Sequence, residues 1–477
     1  MKMKSKQTLP ILLLCGAAVG SITEAKPAQR PNIVLINVDD LGWTDMSFMG
    51  STLYETPNID RLYQKGAYFS NGYSSAANSA PSRACMLSGQ FSPRHGVFTV
   101  GRPTRGDAKQ RKLIPIANSE VLPKDAVTLA QTLKNGGYTT CNIGKWHVGE
   151  DPTKQGIDIN VAGSDAGAPK TGGYFSPYKV PNIKSNVDGE YLTDRLGVEA
   201  ANFVNNVSKE SPFFLYYAPY AVHAPLMAKP EMIEKYKAKE RSKDGAHFNA
   251  IYAAMVESMD ESIGTLMEAI ERNGYAKNTL IIFTSDNGGV YNISKQHPLR
   301  AGKGSYYEGG IRVPIIVYMD GKFDNGLRSD TPVTNLDFFP TILEFTGVKA
   351  ESKLDGTSLL PLLSGKPSSE LTERDLHWFM PAYIEAKKGD TECRDQHFRT
   401  RPVSVIRRGD WKLIENFEDG SLELYNLTDD LGERTNLSDK NPQKRDELYR
   451  AMKQWQADVK APIPTVPNPE YNPTAKK

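Results

Sequence analysis

The stretch Ile33-Val34-Leu35-Ile36-Asn37-Val38-Asp39-Asp40-Leu41-Gly42 decides the fold. A nearly unbroken apolar run ends abruptly in two acids and a turn. Such a run reads as a strand buried on both faces, the habit of a parallel sheet covered by helices on each side. The pattern returns far down the chain, where Leu280-Ile281-Ile282-Phe283-Thr284 leads into Asp286-Asn287-Gly288-Gly289. Open α/β sheets gather ligands at the carboxyl ends of their strands. Two strands delivering Asp39-Asp40 and Asp286-Asn287 to one edge would make an all-oxygen cluster suited to a hard divalent cation. Taken singly, each pair is an ordinary turn after a strand. The repetition is what points to a site.

Outward from these strands, helical and extended segments alternate. Thr128 to Asn135 places Leu129 and Leu133 one turn apart before Gly136-Gly137, which closes a helix. Thr139 to Ile143 then reads as a strand delivering Gly144-Lys145-Trp146-His147, and Phe213 to Tyr217 as another, followed by Pro219 and His223-Ala224-Pro225. Ile251, Met255, Met259, Ile263, Met267 and Ile270 keep one helical face, which at that spacing is core. Val313 to Tyr318 reads as a further strand, and residues 150 to 188, rich in Gly, Pro, Asp and Lys, as a long surface loop. Near residue 350 the texture changes. Val403 to Ile406, Trp411 to Ile414 and Leu422 to Tyr425, separated by Gly409-Asp410 and Asp419-Gly420, read as a small antiparallel sheet. Leu448, Met452, Trp455 and Val459 share the face of a last helix. The expected division is a signal peptide over 1–25, a catalytic domain over 26–350, a C-terminal subdomain over 351–461 and a loose, Pro-rich tail over 462–477.

The chain has 477 residues, 39% hydrophobic and 24% charged, with a net charge of +2. That balance suits a soluble globular enzyme and argues against nucleic acid or a membrane surface as the main partner. Lys2, Lys4 and Lys6, the apolar run Leu9 to Val19, and Thr23-Glu24-Ala25 read as a secretory signal with its cleavage site. The apolar run is too short to span a bilayer, so no stable membrane insertion is expected. A lipid anchor on Cys15 is the alternative, but bulky Leu14 stands where a small residue is expected; cleavage after Ala25 and secretion to a periplasm is the reading taken. Cys85, Cys141 and Cys393 remain, an odd and irregular set that reads as small apolar residues rather than a disulfide framework.

One further stretch carries chemistry, Ser79-Ala80-Pro81-Ser82-Arg83 followed by Leu87-Ser88-Gly89. By itself it is a loop entering a helix, with Pro early and Gly at the stop, and a serine at a helix N-terminus faces a dipole that favours anions. The string resembles the signature of the type I sulfatase family, in which a Cys or Ser before x-Pro-Ser-Arg is oxidised to Cα-formylglycine. The resemblance spans nearly the whole mature chain and implies an alkaline-phosphatase-like α/β fold. That fold is a large, mostly parallel sheet between helices plus a small C-terminal antiparallel sheet. It implies that Ser79 is the converted residue (3-oxoalanine), made by an anaerobic-type maturating enzyme. It also implies one Ca²⁺ held by Asp39, Asp40, Asp286, Asn287 and the formylglycine.

The remaining roles implied by the resemblance fall on matching positions. Arg83 would orient the formylglycine hydrate, and Lys145 and Lys303 would clamp the sulfate oxygens. His223 would protonate the departing alcohol, and His147 would take the hydrate proton as sulfate is released. His95, His247, His297, His377 and His397 match no such motif and receive no catalytic role. An unmodified serine that attacked sulfur would be left as a stable sulfate ester, whereas an aldehyde hydrate has a second hydroxyl whose collapse expels sulfate. The expected substrate is a sulfated carbohydrate cleaved by exo action. Within the polar run Arg394-Asp395-Gln396-His397-Phe398-Arg399, the expectation is that Arg394 and Arg399 bind sugar hydroxyls and Phe398 stacks on a ring, against the plain alternative of a solvated loop. Two other readings stay open at this point: a metal-dependent phosphoesterase of the same superfamily, and a sulfated-glycan-binding protein with a silent site.

Overall fold

The computed structural model describes residues 30–169, 172–239 and 249–475. The segment 1–25, expected to be a signal peptide, lies outside the described residues with Cys15. Eight strands form the main sheet: β1 Asn32–Val38, β2 Ala67–Phe69, β3 Thr139–Gly144, β4 Ile159–Val161, β5 Phe213–Ala218, β6 Thr279–Ser285, β7 Ile315–Tyr318 and β8 Arg328–Ser329. Their spatial order is β4-β3-β5-β1-β6-β7-β2-β8. Only β7 opposes the common direction, pairing antiparallel with both β6 and β2. The apolar runs are central strands, as their composition requires. Along β1, Val34, Ile36 and Val38 join one core and Ile33 and Leu35 the other, all fully buried.

The first core is closed by the helices Leu192–Asn206 and Ala250–Arg272. Met255, Met259, Ile263, Met267 and Ile270 of the long helix are all buried there, so the Met stripe is packing. The second core lies under the helices Ser79–Ser88, Leu129–Asn135 and Phe338–Thr346. Thr128 caps its helix, its hydroxyl accepting from Gln131 N at 3.0 Å.

Beyond residue 350 a second sheet forms from β9 Asp375–Met380, β10 Val403–Arg408, β11 Trp411–Asn416 and β12 Leu422–Asn426, antiparallel throughout. The helix Pro442–Asp458 packs Leu448 and Met452 against it. Strand β9 escapes a reading by alternation because Leu376 to Met380 are buried on both sides.

Two expectations need correction. The segment 150–188 is not all loop, since β4 adds an edge strand to the main sheet by pairing with β3. The tail from Pro462 is tied down. Val466 O accepts from Ile114 N at 2.8 Å, Asn468 N donates to Lys112 O at 2.9 Å, and Asn472 N donates to Lys109 O at 2.9 Å. Its backbone finds partners in an irregular segment, a pairing that leaves no period in the sequence. Cys85, Cys141 and Cys393 are all free thiols, the first two buried. Among the described residues no helix is long and apolar enough to cross a membrane.

Candidate active site

Strand register assembles the site. Val38 pairs with Ser285, so Asp39 and Asp286 leave neighbouring strands at the same level. On the other side of β1, Val222 N donates to Asp39 O at 2.8 Å, which brings His223 to the same edge. Gly144 lies opposite Ala218, and Lys145 N donates to Ala218 O at 2.7 Å. Four adjacent strands thus present Lys145, His223, Asp39 and Asp286 in a row. Asp40 sits at φ 63°, a left-handed conformation that aspartate tolerates better than most residues, and its N–H donates to Asp286 Oδ1 at 3.2 Å.

Ser79 opens a helix buried along its whole length and closed by Gly89. Its Oγ stands 3.2 Å from Asp39 Oδ1 and 3.3 Å from Asn287 Oδ1. One turn on, Arg83 donates from Nε to Asp286 Oδ2 at 2.8 Å and from Nη1 to Lys145 O at 3.0 Å. Lys145 Nζ donates to Asp39 Oδ2 at 2.7 Å, and Lys303 Nζ lies 2.6 Å from Asp40 Oδ1. His223 Nε2 is 3.7 Å from Asp40 Oδ2, while its Nδ1 donates to Ala224 O at 2.6 Å. The latter bond fixes the tautomer and leaves Nε2 facing the cluster.

Charge is balanced under strong desolvation. Burial pushes Asp39 up to about 7 in spite of Lys145 beside it, with Asp286 and Asp40 adding to the push. Burial works on Asp40 and Asp286 too, but Lys303 and His223 hold the first below the usual carboxylate range, and Arg83 and Lys145 hold the second below it. Burial, reinforced by Lys303, lowers His223 to about 4, and burial with Lys145 and Arg83 holds His147 well below its ordinary value. His147 Nδ1 is buried without a partner.

The donor set fits a hard divalent cation. Asp39, Asp40, Asp286 and Asn287 offer oxygen only, in a pocket where burial leaves Asp39 near neutrality; a bound cation would hold it ionised. Ligand atoms of Asp39, Asp40 and His223 can lie within 4.8 Å of one another.

Several supporting residues carry no sequence signal as a group. Tyr216 accepts at its hydroxyl from Arg83 Nη1 (3.1 Å) and Asn37 Nδ2 (2.8 Å); a tyrosine in a fully buried strand needs such partners, which is the one clue available. Gln296 accepts from Trp43 N at 2.9 Å and donates to Gly289 O at 3.2 Å and Gly309 O at 2.9 Å, tying together the backs of three loops. Gly288 must be glycine, because a Cβ there would come within 1.9 Å of Gly309 O.

Arg394 and Arg399 make no hydrogen bond to the cluster's side chains. Arg394 donates to Asp419 Oδ2 at 2.6 Å and Ser421 Oγ at 3.1 Å. Arg399 is buried against Asp390. Phe398 is only 1% exposed, packed on Tyr383 and beneath the Arg401 guanidinium, so its ring has no open face for a sugar. The loop does reach the site through Arg399 and the carbonyl of Lys303, but both arginines are already paired with carboxylates of the protein.

A family model described as sulfatase matches residues 31–348, two thirds of the chain, and one described as N-sulphoglucosamine sulphohydrolase, C-terminal, matches 302–461. The chain belongs to the sulfatase family. This sulfatase is 34% identical to a sulfatase of Formosa agariphila, over 93% of this chain and 90% of that one. It is 32% identical to the N-acetylgalactosamine-6-sulfatase of Homo sapiens, over 71% of this chain and 67% of that one. The crystal structure of Ps i-CgsB in complex with k-i-k-neocarrahexaose matches with a TM-score of 0.73 and 31% identity, covering 90% of this chain and 94% of that chain. The sulfatase is a sulfuric ester hydrolase of alkaline-phosphatase-like fold.

Proposed function

We propose that this sulfatase removes sulfate from a sulfated carbohydrate, using a Cα-formylglycine made from Ser79 beside a calcium ion held by Asp39, Asp40, Asp286, Asn287 and the converted residue. One observation carries the reading: Ser79 Oγ lies within 3.3 Å of both Asp39 and Asn287, at the head of a buried helix whose Arg83 is locked to Asp286. An attacking oxygen formed at this position lies beside oxygen ligands, and the carboxylates of the cluster are held by three basic side chains, Arg83, Lys145 and Lys303. Calcium, when bound, supplies charge that acidifies a nearby hydroxyl and neutralises sulfate oxygens.

The chain's own groups do the rest. Lys145 and Lys303 grip the sulfate oxygens. His223, its Nδ1 committed to Ala224 O, offers Nε2 to the departing sugar oxygen, and an anionic sulfate ester opposes the push that keeps it neutral. His147 takes up a proton during release. The carbohydrate class is supported by a relative named N-acetylgalactosamine-6-sulfatase and by one solved in complex with k-i-k-neocarrahexaose. Release of inorganic sulfate from a panel of sulfated mono- and oligosaccharides by the matured enzyme tests it, and turnover of phosphate monoesters above every sulfate ester would contradict it. Conversion of Ser79 by an anaerobic-type maturating enzyme and export to the periplasm belong to the same reading.

Two outcomes follow for the site. His223→Ala is expected to slow alkyl sugar sulfates by about 10²-fold or more while affecting aryl sulfates with good leaving groups far less, since general-acid help matters most for a poor leaving group. Equal losses on both would remove His223 from the acid role. Asn287→Ala, which deletes a ligand without stranding a buried charge, is expected to drop bound calcium well below one per chain and the rate by at least about 10²-fold. Elemental analysis reads the first quantity, and stoichiometric zinc in active protein would contradict the metal assignment.

A further inference from the structure

We propose that Arg399, seated on Asp390, is a positioning residue that sets the sulfate grip of Lys303 from the C-terminal part of the chain. This deepens the reading of Lys303 given above and rests on it.

The backbone of Lys303 and Gly304 is held from three directions. Lys303 N donates to Gly289 O at 2.8 Å, which ties it to the loop of Asp286 and Asn287. Gly304 N donates to Ala77 O at 2.7 Å, which ties it to the loop entering the Ser79 helix. Lys303 O accepts from Arg399 Nη1 at 3.2 Å. Arg399 is 7% exposed, and its Nε and Nη2 lie 2.6 and 3.3 Å from the two oxygens of Asp390. The carboxylate holds two arms of the guanidinium and aims the third at the lysine carbonyl, a geometry that a planar fork provides and an ammonium does not. Gly304 sits at φ 86°, and a Cβ there would come within 3.1 Å of Arg399 Cδ, so the arginine stem closes directly over this peptide.

The position of this backbone matters because of what Lys303 is. Its ammonium is a point charge on a flexible four-carbon stem, and its reach to Asp40 is set by where its main chain is anchored. Lys145 differs, since its side chain is wholly buried against Asp39 while that of Lys303 is 15% exposed. A loose Lys303 would meet sulfate in the wrong place, and misplacements of about 1 Å are costly in a preorganised site. A plain stabilising pair of Asp390 and Arg399 would act on the fold and not on anion binding.

A double-mutant cycle on the matured, calcium-loaded enzyme separates these. The readouts are the inhibition constant of inorganic sulfate, kcat and KM for an aryl sulfate, and calcium content. Arg399→Ala is expected to raise the sulfate inhibition constant and KM by about tenfold with calcium content unchanged, Arg399→Lys to restore little, and added guanidinium to restore part. In a Lys303→Ala background, Arg399→Ala is expected to add almost nothing, because the group it positions is gone. If Arg399→Ala fails to fold, Asp390→Asn keeps the side-chain volume, unseats the fork and enters the same cycle. Full multiplication of the two effects, or an unchanged sulfate constant in the Arg399 or Asp390 variants, would overturn the inference. An unchanged sulfate constant in Lys303→Ala alone would instead overturn the reading of Lys303, and this inference with it.

Discussion

Ser79→Ala is expected to abolish turnover of every sulfate ester, by about 10⁴-fold or more, while leaving the fold largely in place. The side chain is 1% exposed at the head of its helix, and its one hydroxyl proton is shared between Asp39 Oδ1 at 3.2 Å and Asn287 Oδ1 at 3.3 Å. Deleting it strands no buried charge, because Asp39 keeps Lys145 at 2.7 Å and Arg83 keeps Asp286 at 2.8 Å. The loss should therefore fall on chemistry rather than on stability. Rates with an aryl sulfate, beside thermal unfolding of the same sample, check this. A residual rate within tenfold of the parent would remove Ser79 from the nucleophile's place.

Lys412→Met is expected to cost about 3 kcal/mol or more of stability, read from the denaturant midpoint at neutral pH. Lys412 lies on β11, fully buried, with Nζ 2.9 Å from Glu308 Oε1 and 2.8 Å from Glu433 Oε1. Glu308 also accepts from Tyr73 at 2.6 Å and lies 3.2 Å from Arg312, while Glu433 Oε2 accepts from Glu308 N at 2.6 Å. Removing the shared cation leaves buried carboxyls facing each other at the junction of the two sheets. Burial opposes ionisation of Glu308, but Lys412, Arg312 and Arg407 bring it down to about 2, so its contribution is present above the unfolded value of 4.5 and lost as pH falls through about 2. Glu433 runs the other way: burial lifts it to about 7, so its protonated form favours the fold, and that advantage is lost as pH rises from 4.5 through about 7. A midpoint shift worth less than about 1 kcal/mol would mean that desolvation of this network offsets what its ion pairs contribute.

The strand ends were legible because composition and geometry point the same way there. A strand buried on both faces must be apolar, so Asp39-Asp40 and Asp286-Asn287 stand out where the run stops, and parallel register then aligns them without further information. Motif resemblance supplied Ser79, Arg83, Lys145, His223 and Lys303, and these five share one network with the two acidic pairs. Residues acting through space stayed hidden. Arg399 is polar and sits in a turn-rich run, a composition that fits a solvated loop, a sugar contact and a buried brace equally. What separates these is the carbonyl of Lys303, 96 positions away. Gln296 is likewise one amide among loop residues until Trp43, Gly289 and Gly309 close round it. The tail failed for a related reason, since Pro and Asn with no period describe a loose segment and a strapped one alike.

Mass spectrometry of the Ser79 peptide tests the central claim most directly, using protein purified with full sulfatase activity and carried through the same activity assay. Oxidation of the serine hydroxyl to an aldehyde removes two hydrogens. The predicted result is a Ser79 peptide lighter by two hydrogens, in a fraction that rises in proportion to specific activity across preparations. Full activity from protein in which Ser79 is entirely unmodified serine would contradict it.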